Sequence, residues 1–462
     1  MRELLLSSPN VYILFSIGLT YLLLLQKYFS NDKKIEGLKR FFVYLIFLSM
    51  PNIMLIGFIL IQPSVLVTPV LDANKTVFRI LLYGSAIILL KPWFKTFPKS
   101  LKVCFKDPVR GFFLALVVIS SLWSASPLYS LASSLIFIAI TAIAAHIGMT
   151  HSWKEIFEYL KWSLLSIAVL SFLTSTLAPA IGIHDKGWRG VLEHPNRLGI
   201  LMALSITVWL INLLETPRQK VLSAVVILLS TVTMLFTNSA TSIVLLITMI
   251  VVLGIVRIAR TTGLRMAVIC STFAIIIGVI VASIISANLD AILSALGKNR
   301  SLSGRGSIWP LLFQAVMKKP LLGYGYVGFW QGWQGEDDPS NFVRQAVHWG
   351  VGHAHNGFLE VLLQLGLIGT IILVGMLLRD FFRALLHGIV SQQIAWDIPI
   401  ILVVFTVLSN TSVSELITPK HVWFYYIIAS VKLQALSGKK RAPRVLEKAD
   451  APTARRWVHK RV

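Results

Sequence analysis

Long apolar runs, each close to the roughly 20 residues that cross the hydrocarbon of a bilayer, follow one another along almost the whole chain. They predict spans over 9–27, 41–62, 77–91, 109–125, 128–149, 161–183, 196–214, 219–237, 239–257, 265–287, 357–379, 396–417 and 421–437. No run shows the period-two alternation of a barrel strand. The expected fold class is therefore all-α: a polytopic integral membrane protein of about 12 or 13 transmembrane helices. Its parts are N-terminal helices over 1–287, one large loop over 288–356, C-terminal helices over 357–437 and a basic tail over 438–462.

The large loop has a pattern of its own. Ile308, Leu311, Leu312, Ala315 and Val316 recur at helical spacing, which predicts a short amphipathic helix from Arg305 to Lys319 lying on the membrane surface. Ser303 is placed to cap it, and Lys318-Lys319-Pro320 to end it. A glycine-rich turn through Gly323, Gly325 and Gly328 follows. Beyond the loop, Asn356 is a good N-cap for the span that starts at Gly357.

Composition agrees with the pattern. With 56% hydrophobic and 14% charged residues and a mean hydropathy of +0.75, an ordinary soluble globule is excluded. A formal charge of +23 would suggest nucleic acid, but its distribution argues against that partner. The basic residues sit at 27–40, 91–110 and 257–265 and after Lys439, in loops on alternate sides of the spans. That is the positive-inside pattern. It puts the tail in the cytoplasm, drawn to anionic lipid. Loops 183–195 and 288–356 then face outward, whichever side holds the N-terminus. Cys104 and Cys270 are the only cysteines, too few for a disulfide framework or a thiolate metal site. Met1 to Asn10 lacks a basic n-region and a cleavage site, so the first span is expected to be retained.

Both outward loops hold candidate chemistry. His355 lies just before the positive end of the helix that starts at Gly357, which disfavours the imidazolium. A neutral imidazole suits a general base; an interfacial anchor is the equally open alternative. His348, His353 and His355 raise the question of zinc, but H-x4-H-x-H in a loop is not a strong zinc pattern, so no metal and no cofactor are expected. Arg305 and Arg189 offer donor forks matched to phosphate oxygens. Arg300, Arg197, Arg344 and Lys298 lie close by as auxiliary cations. Trp309 and Tyr324, with Asn356, are candidate substrate contacts, although most tryptophans of these loops fit an interfacial belt. Glu360, one turn inside a span, is either a polar partner of the site or a packing contact.

The same residues carry a family resemblance. His355-Asn356, nine residues and Gly366-Leu-Ile-Gly369 resembles the signature of the O-antigen ligase and polymerase superfamily. Ser303-Gly-Arg305 to Trp309 and Pro320-Leu-Leu-Gly-Tyr-Gly-Tyr-Val-Gly-Phe-Trp330 are most similar to the ExoQ-type exopolysaccharide polymerisation proteins. Trp188-Arg-Gly190 to His194-Pro-Asn-Arg-Leu-Gly199 is similar to an earlier external motif of the family. The resemblance runs from Trp188 to Gly369, and the first half of the chain shares only hydropathy. It implies transfer of a glycan from a polyprenyl pyrophosphate to an acceptor hydroxyl outside the inner membrane, with inversion and without metal or nucleotide sugar. His355 matches the proposed base, Arg305 a pyrophosphate arginine and Arg189 a weaker one. One departure stands out. Where many members have Ser-Arg or Ser-Lys, this chain reads Asn238-Ser239-Ala240-Thr241, so Arg197 or Arg300 is a candidate for the missing charge.

The expected function is a bacterial inner-membrane polymerase of lipid-linked repeat units, its site facing the periplasm or cell exterior. Its partners are a polyprenyl-pyrophosphate-linked glycan donor, a glycan acceptor and membrane lipid, with a chain-length regulator left open. A ligase moving finished glycan onto lipid A core or another acceptor is the alternative within the class. A transporter of lipid-linked oligosaccharide ranks below both, because its charges are expected near the midplane.

Overall fold

The computed structural model describes residues 34–51, 98–263, 265–266, 268–270, 272, 305–348, 350–390 and 397–437. The expected spans 9–27 and 77–91, most of 265–287, the cap at Ser303, Arg300 and the basic tail lie outside them. Helix α1 is Lys34–Ser49, α2 Pro108–Ile119, α3 Pro127–Thr150, α4 Trp153–Leu177, α5 Pro195–Glu215, α6 Lys220–Phe236 and α7 Ala240–Thr262. Then come α8 Arg305–Lys318, α9 Asn341–Val347, α10 Gly357–Val390, α11 Asp397–Ser409 and α12 His421–Ser437. One small hairpin, β1 Ile183–His184 with β2 Gly187–Trp188, pairs antiparallel. Among the described residues, six helices are long and apolar enough to cross a membrane. The chain is an all-α, multi-span membrane protein.

Caps set several boundaries. Asp107 accepts the Val109 amide and is followed by Pro108 at the first helical position. Ser152 and Glu155 form a reciprocal capping box, which satisfies two orphan donors and starts α4 well before the expected 161. The sharpest difference is at α11. The sequence suggests a span over 396–417, but the helix stops at Ser409. At about 1.5 Å per residue its 13 residues reach only about 20 Å, short of the ~30 Å hydrocarbon layer. Residues 410–420 instead form a polar return into the bundle.

The helix expected in the long loop does form. Ile308, Leu312, Ala315 and Val316 are buried on one side with Phe329, Val343 and Leu363, while Phe313 and Met317 are exposed on the other.

α10 is broken at Gly366, where φ is 63° and ψ −165°. The break frees backbone groups in an apolar setting, where an unpaired amide or carbonyl costs several kcal/mol. The glycine-rich turn after α8 pairs them. Tyr324 N donates to Leu363 O at 2.8 Å and Gly325 N to Gln364 O at 2.9 Å; from the far side, Leu367 N donates to Pro320 O at 2.8 Å and Ile368 N to Leu321 O at 3.2 Å. The loop segment and the helix break are thus one interlocked unit. Only glycine fits: a Cβ on Gly366 would come 2.2 Å from Leu321 O, and one on Gly323, also at positive φ, 2.6 Å from Leu363 O.

The bundle has two polar ends. α5 begins at the hairpin and ends at Glu215, which meets Arg257 at 2.9 Å; Arg257 also meets Asp397, the first residue of α11, at 3.2 Å. Arg379 pairs with Asp107 at 2.6 Å. Loops 183–195, 350–356 and 410–420 gather at the other end.

Gly366→Ala is expected to lower the apparent thermal midpoint of the detergent-purified chain. The positive φ alone costs about 1–3 kcal/mol, and the backbone clash adds to it. Gly375→Ala in the same helix, where an added Cβ meets nothing within 4 Å, should leave the midpoint unchanged. Equal midpoints for both variants would contradict the interlock.

Candidate functional site

The three gathered loops enclose a cleft of about 310 Å³. One wall is Glu193, His194, Asn196 and Arg197, from the hairpin loop and the first turn of α5. His353 and His355 form the second, and Ser412 to Ser414 the third.

His355 is held by its neighbours' backbone. The backbone of Ala354 is held at both of its polar groups: its amide donates to Glu360 Oε2 at 2.8 Å, and its carbonyl accepts Trp309 Nε1–H at 3.0 Å. Glu360 also accepts from Trp330 Nε1 at 2.8 Å and Gln364 Nε2 at 2.7 Å. Gln364 Oε1 in turn accepts the Val327 amide at 2.8 Å. On the other side of His355, Asn356 caps α10 as expected, its Oδ1 accepting from Phe358 N and Leu359 N. The Asn356 amide donates to Ser414 Oγ at 3.2 Å. These ties hold His355 at φ 53°, a left-handed conformation rare outside glycine and stable only when its surroundings fix it. The rings of His353 and His355 meet edge to face, centroids 4.0 Å apart. Glu360, the residue with two open roles, is the buried bracket of the histidine loop.

Charge is organised around Arg197. Its Nε lies 2.8 Å from Glu415 Oε1, and its guanidinium also donates to Glu193. Lys420 Nζ stands 3.7 Å from Glu193 and 4.0 Å from Glu415, and His421 Nδ1 is 3.6 Å from Glu415. Burial by itself raises the Glu415 carboxyl, but Arg197 first, then His421 and Lys420, outweigh it and hold it at about 2. At the rim the effect is opposite. Burial first, then His184, Lys186 and Arg197, lower the His194 imidazole to about 4, so it is neutral at physiological pH and its Nδ1 accepts the Asn196 amide at 3.1 Å.

The structure brings His355, Asn356 and Arg197 together. Arg189 turns inward, its Nε donating to Ile181 O at 2.7 Å. Arg305 opens α8 one turn before Trp309; its side chain and Arg300 lie outside the described residues. Tyr324 packs inside the loop core, its hydroxyl donating to Ala315 O at 3.0 Å. Arg344 bonds Asp338 and Ser340. Among the described residues no group of three or more His, Cys, Asp or Glu side chains is arranged to hold a metal ion.

Sequence reasoning did not single out Glu415, Ser412, Ser414 or Lys420. The signal was the polar run Asn410-Thr411-Ser412 with Ser414 and Glu415 inside an expected span; a buried glutamate there asks for a cation. Thr241, at the end of the stretch that lacks a Ser-Arg or Ser-Lys pair, donates to Ser412 Oγ at 2.9 Å and so touches the cleft wall.

Residues 224–374 match the family model described as O-antigen ligase. The chain is 34% identical over 110 residues to the exopolysaccharide production protein ExoQ of Rhizobium meliloti (strain 1021), a stretch covering 23% of this chain and 24% of that relative. The superfamily expected from the motifs is therefore the one this segment falls in. The matched segment contains α8, the interlocked turn, the histidine loop and the first turns of α10.

Because Glu415 is held at about 2 against an ordinary 4.5, its ionised form stabilises the fold. That stabilisation is complete above about pH 4.5 and is lost as pH falls towards 2. Glu415→Gln is expected to remove this acid-sensitive component and to destabilise the chain at pH 7 by roughly 3–5 kcal/mol, the cost of breaking a buried pair from one side. Thermal melts of both proteins between pH 7 and 3 read it out. A melt profile unchanged by the substitution would contradict the pairing.

Proposed function

We propose that the protein is a bacterial inner-membrane glycosyltransferase that polymerises polyprenyl-pyrophosphate-linked repeat units at this cleft, on the outer face. The observation that carries this reading is that His355, held in a fixed and strained backbone, and Arg197 share one cleft bordered by the O-antigen-ligase-like segment. The similarity to an exopolysaccharide production protein favours chain growth over transfer to a final acceptor.

In this mechanism an acceptor hydroxyl attacks the anomeric carbon of the donor glycan. Its proton passes to the His355 imidazole as the new glycosidic bond forms. The bond from that carbon to the pyrophosphate oxygen breaks, and the electron pair leaves with the polyprenyl pyrophosphate. Attack opposite the leaving group inverts the anomeric centre, and no metal or nucleotide sugar takes part. Arg197, in the place of the family's missing Ser-Arg or Ser-Lys cation, joins Arg305 in stabilising the departing charge, while Arg189, bonded to Ile181 O outside the cleft lining, takes no part. Asn356 and the Trp309–Ala354 bond keep the base in place. Two lipid carriers lying side by side supply rate through orientation. The basic loops at the opposite end of the bundle face the cytoplasm.

Glycan profiling of a deletion strain complemented with wild type or His355→Ala tests this. Loss of a general base costs about 10²–10⁴-fold, so His355→Ala should leave single repeat units on polyprenyl pyrophosphate and essentially no polymer. Full-length lipid-linked polymer that never reaches its acceptor would make the protein a ligase. Normal polymer from His355→Ala would refute catalysis at this site.

A further inference from the structure

Arg197 has two carboxylate partners, and they are not equivalent. Glu415 is 2% exposed, receives the Arg197 Nε at 2.8 Å and has its backbone amide tied to Asn410 Oδ1 at 2.9 Å. It sits beneath the arginine and cannot leave without abandoning a buried cation. Glu193 is 39% exposed, lines the cleft itself, and bridges the Arg197 guanidinium to Lys420. Its carboxylate therefore borders the cleft while paired with two cations that an incoming anion would need.

Formal charge sharpens the contrast. Glu415 alone neutralises Arg197; Glu193 then neutralises Lys420. The filled cluster is neutral, although a diphosphate ester carrying two or more negative charges needs cations that are not already satisfied. A surface-accessible ion pair is weak, about 0–1 kcal/mol, so a doubly charged ligand can outcompete one partly exposed carboxylate at little cost. The fixed partner is what keeps Arg197 aimed while that exchange takes place.

We propose that Glu193 is an exchangeable counter-ion: its carboxylate occupies the diphosphate-binding position of the empty cleft and is displaced from Arg197 and Lys420 by the diphosphate of the lipid carrier, while Glu415 stays as the permanent anchor. This rests on the reading of the cleft as the site for a lipid diphosphate. It makes Glu193 a residue that weakens diphosphate binding and so favours release of the spent carrier. Glu415 is a positioning residue that acts through Arg197.

The test is binding of inorganic pyrophosphate to the full chain in uncharged detergent, by calorimetry, with orthophosphate as the comparison. Wild type should prefer pyrophosphate. Glu193→Gln should bind it more tightly, by up to about fivefold, the equivalent of about 1 kcal/mol, and Arg197→Ala should lose it. Glu193→Ala, which removes the same charge with a different side chain, should behave as Glu193→Gln; gel filtration of each variant checks its fold. Unchanged or weaker binding in both Glu193 variants would overturn the exchange, as would pyrophosphate binding to none of the proteins. The two readings separate cleanly. Tightening in Glu193→Gln together with normal polymer from His355→Ala would keep the exchange and sink the catalytic reading. Loss of polymer in His355→Ala without any tightening would do the reverse.

Discussion

A broken helix is the constraint on which the site depends. Nine residues into α10 the chain leaves helical geometry at Gly366, and in an apolar bundle the freed amides and carbonyls must find partners. The turn after α8 supplies them, with four backbone hydrogen bonds reaching across the break. That pairing fixes where α8 lies. α8 in turn presents the Trp309 indole to the Ala354 carbonyl. The first segment of α10 carries Glu360, which takes the backbone amide of the same residue. His355 therefore owes its position to a glycine eleven residues later in the chain. The spacing between the His-Asn pair and the Gly-x-x-Gly motif is the length of helix between His355 and the break.

Electrostatics complete the site from a different part of the chain. α11 stops short of a full span, so residues 410–420 return into the bundle and bring Glu415 beneath Arg197 and Ser414 against the Asn356 amide. A longer α11 would carry both groups away from the cleft. The short helix, costly in hydrocarbon on its own, is covered by α7, α10 and α12, and its residues are almost all buried.

Much of this was legible in the sequence. The all-α membrane fold followed from the apolar runs, the helix α8 from five residues at helical spacing, and the cap at Asn356 from its place before an apolar segment. His355 and Arg197 were both named, and the structure puts them on one cleft. What was hidden is long-range. Hydropathy averages over Ser412 and Glu415 because Val413, Leu416 and Ile417 flank them, so the end of α11 was read as continuous span. Gly366 was named as part of the Gly-x-x-Gly motif, but not as a helix break, since the partner that makes its positive φ necessary lies some forty-five residues earlier, at Pro320 and Leu321. Tyr324 looked like a substrate contact for a similar reason. Its hydroxyl is used inside the loop core by Ala315, a pairing that no local spacing reveals.

The proposed mechanism has a lipid-linked diphosphate react between Arg197 and His355. A cryo-electron-microscopy structure of the full chain in a nanodisc with a polyprenyl-pyrophosphate-linked repeat unit tests it most directly. The diphosphate is expected against Arg197 and the reacting sugar within hydrogen-bond reach of the His355 imidazole. A diphosphate seated elsewhere, with the cleft between the histidine loop and α5 left vacant, would contradict it.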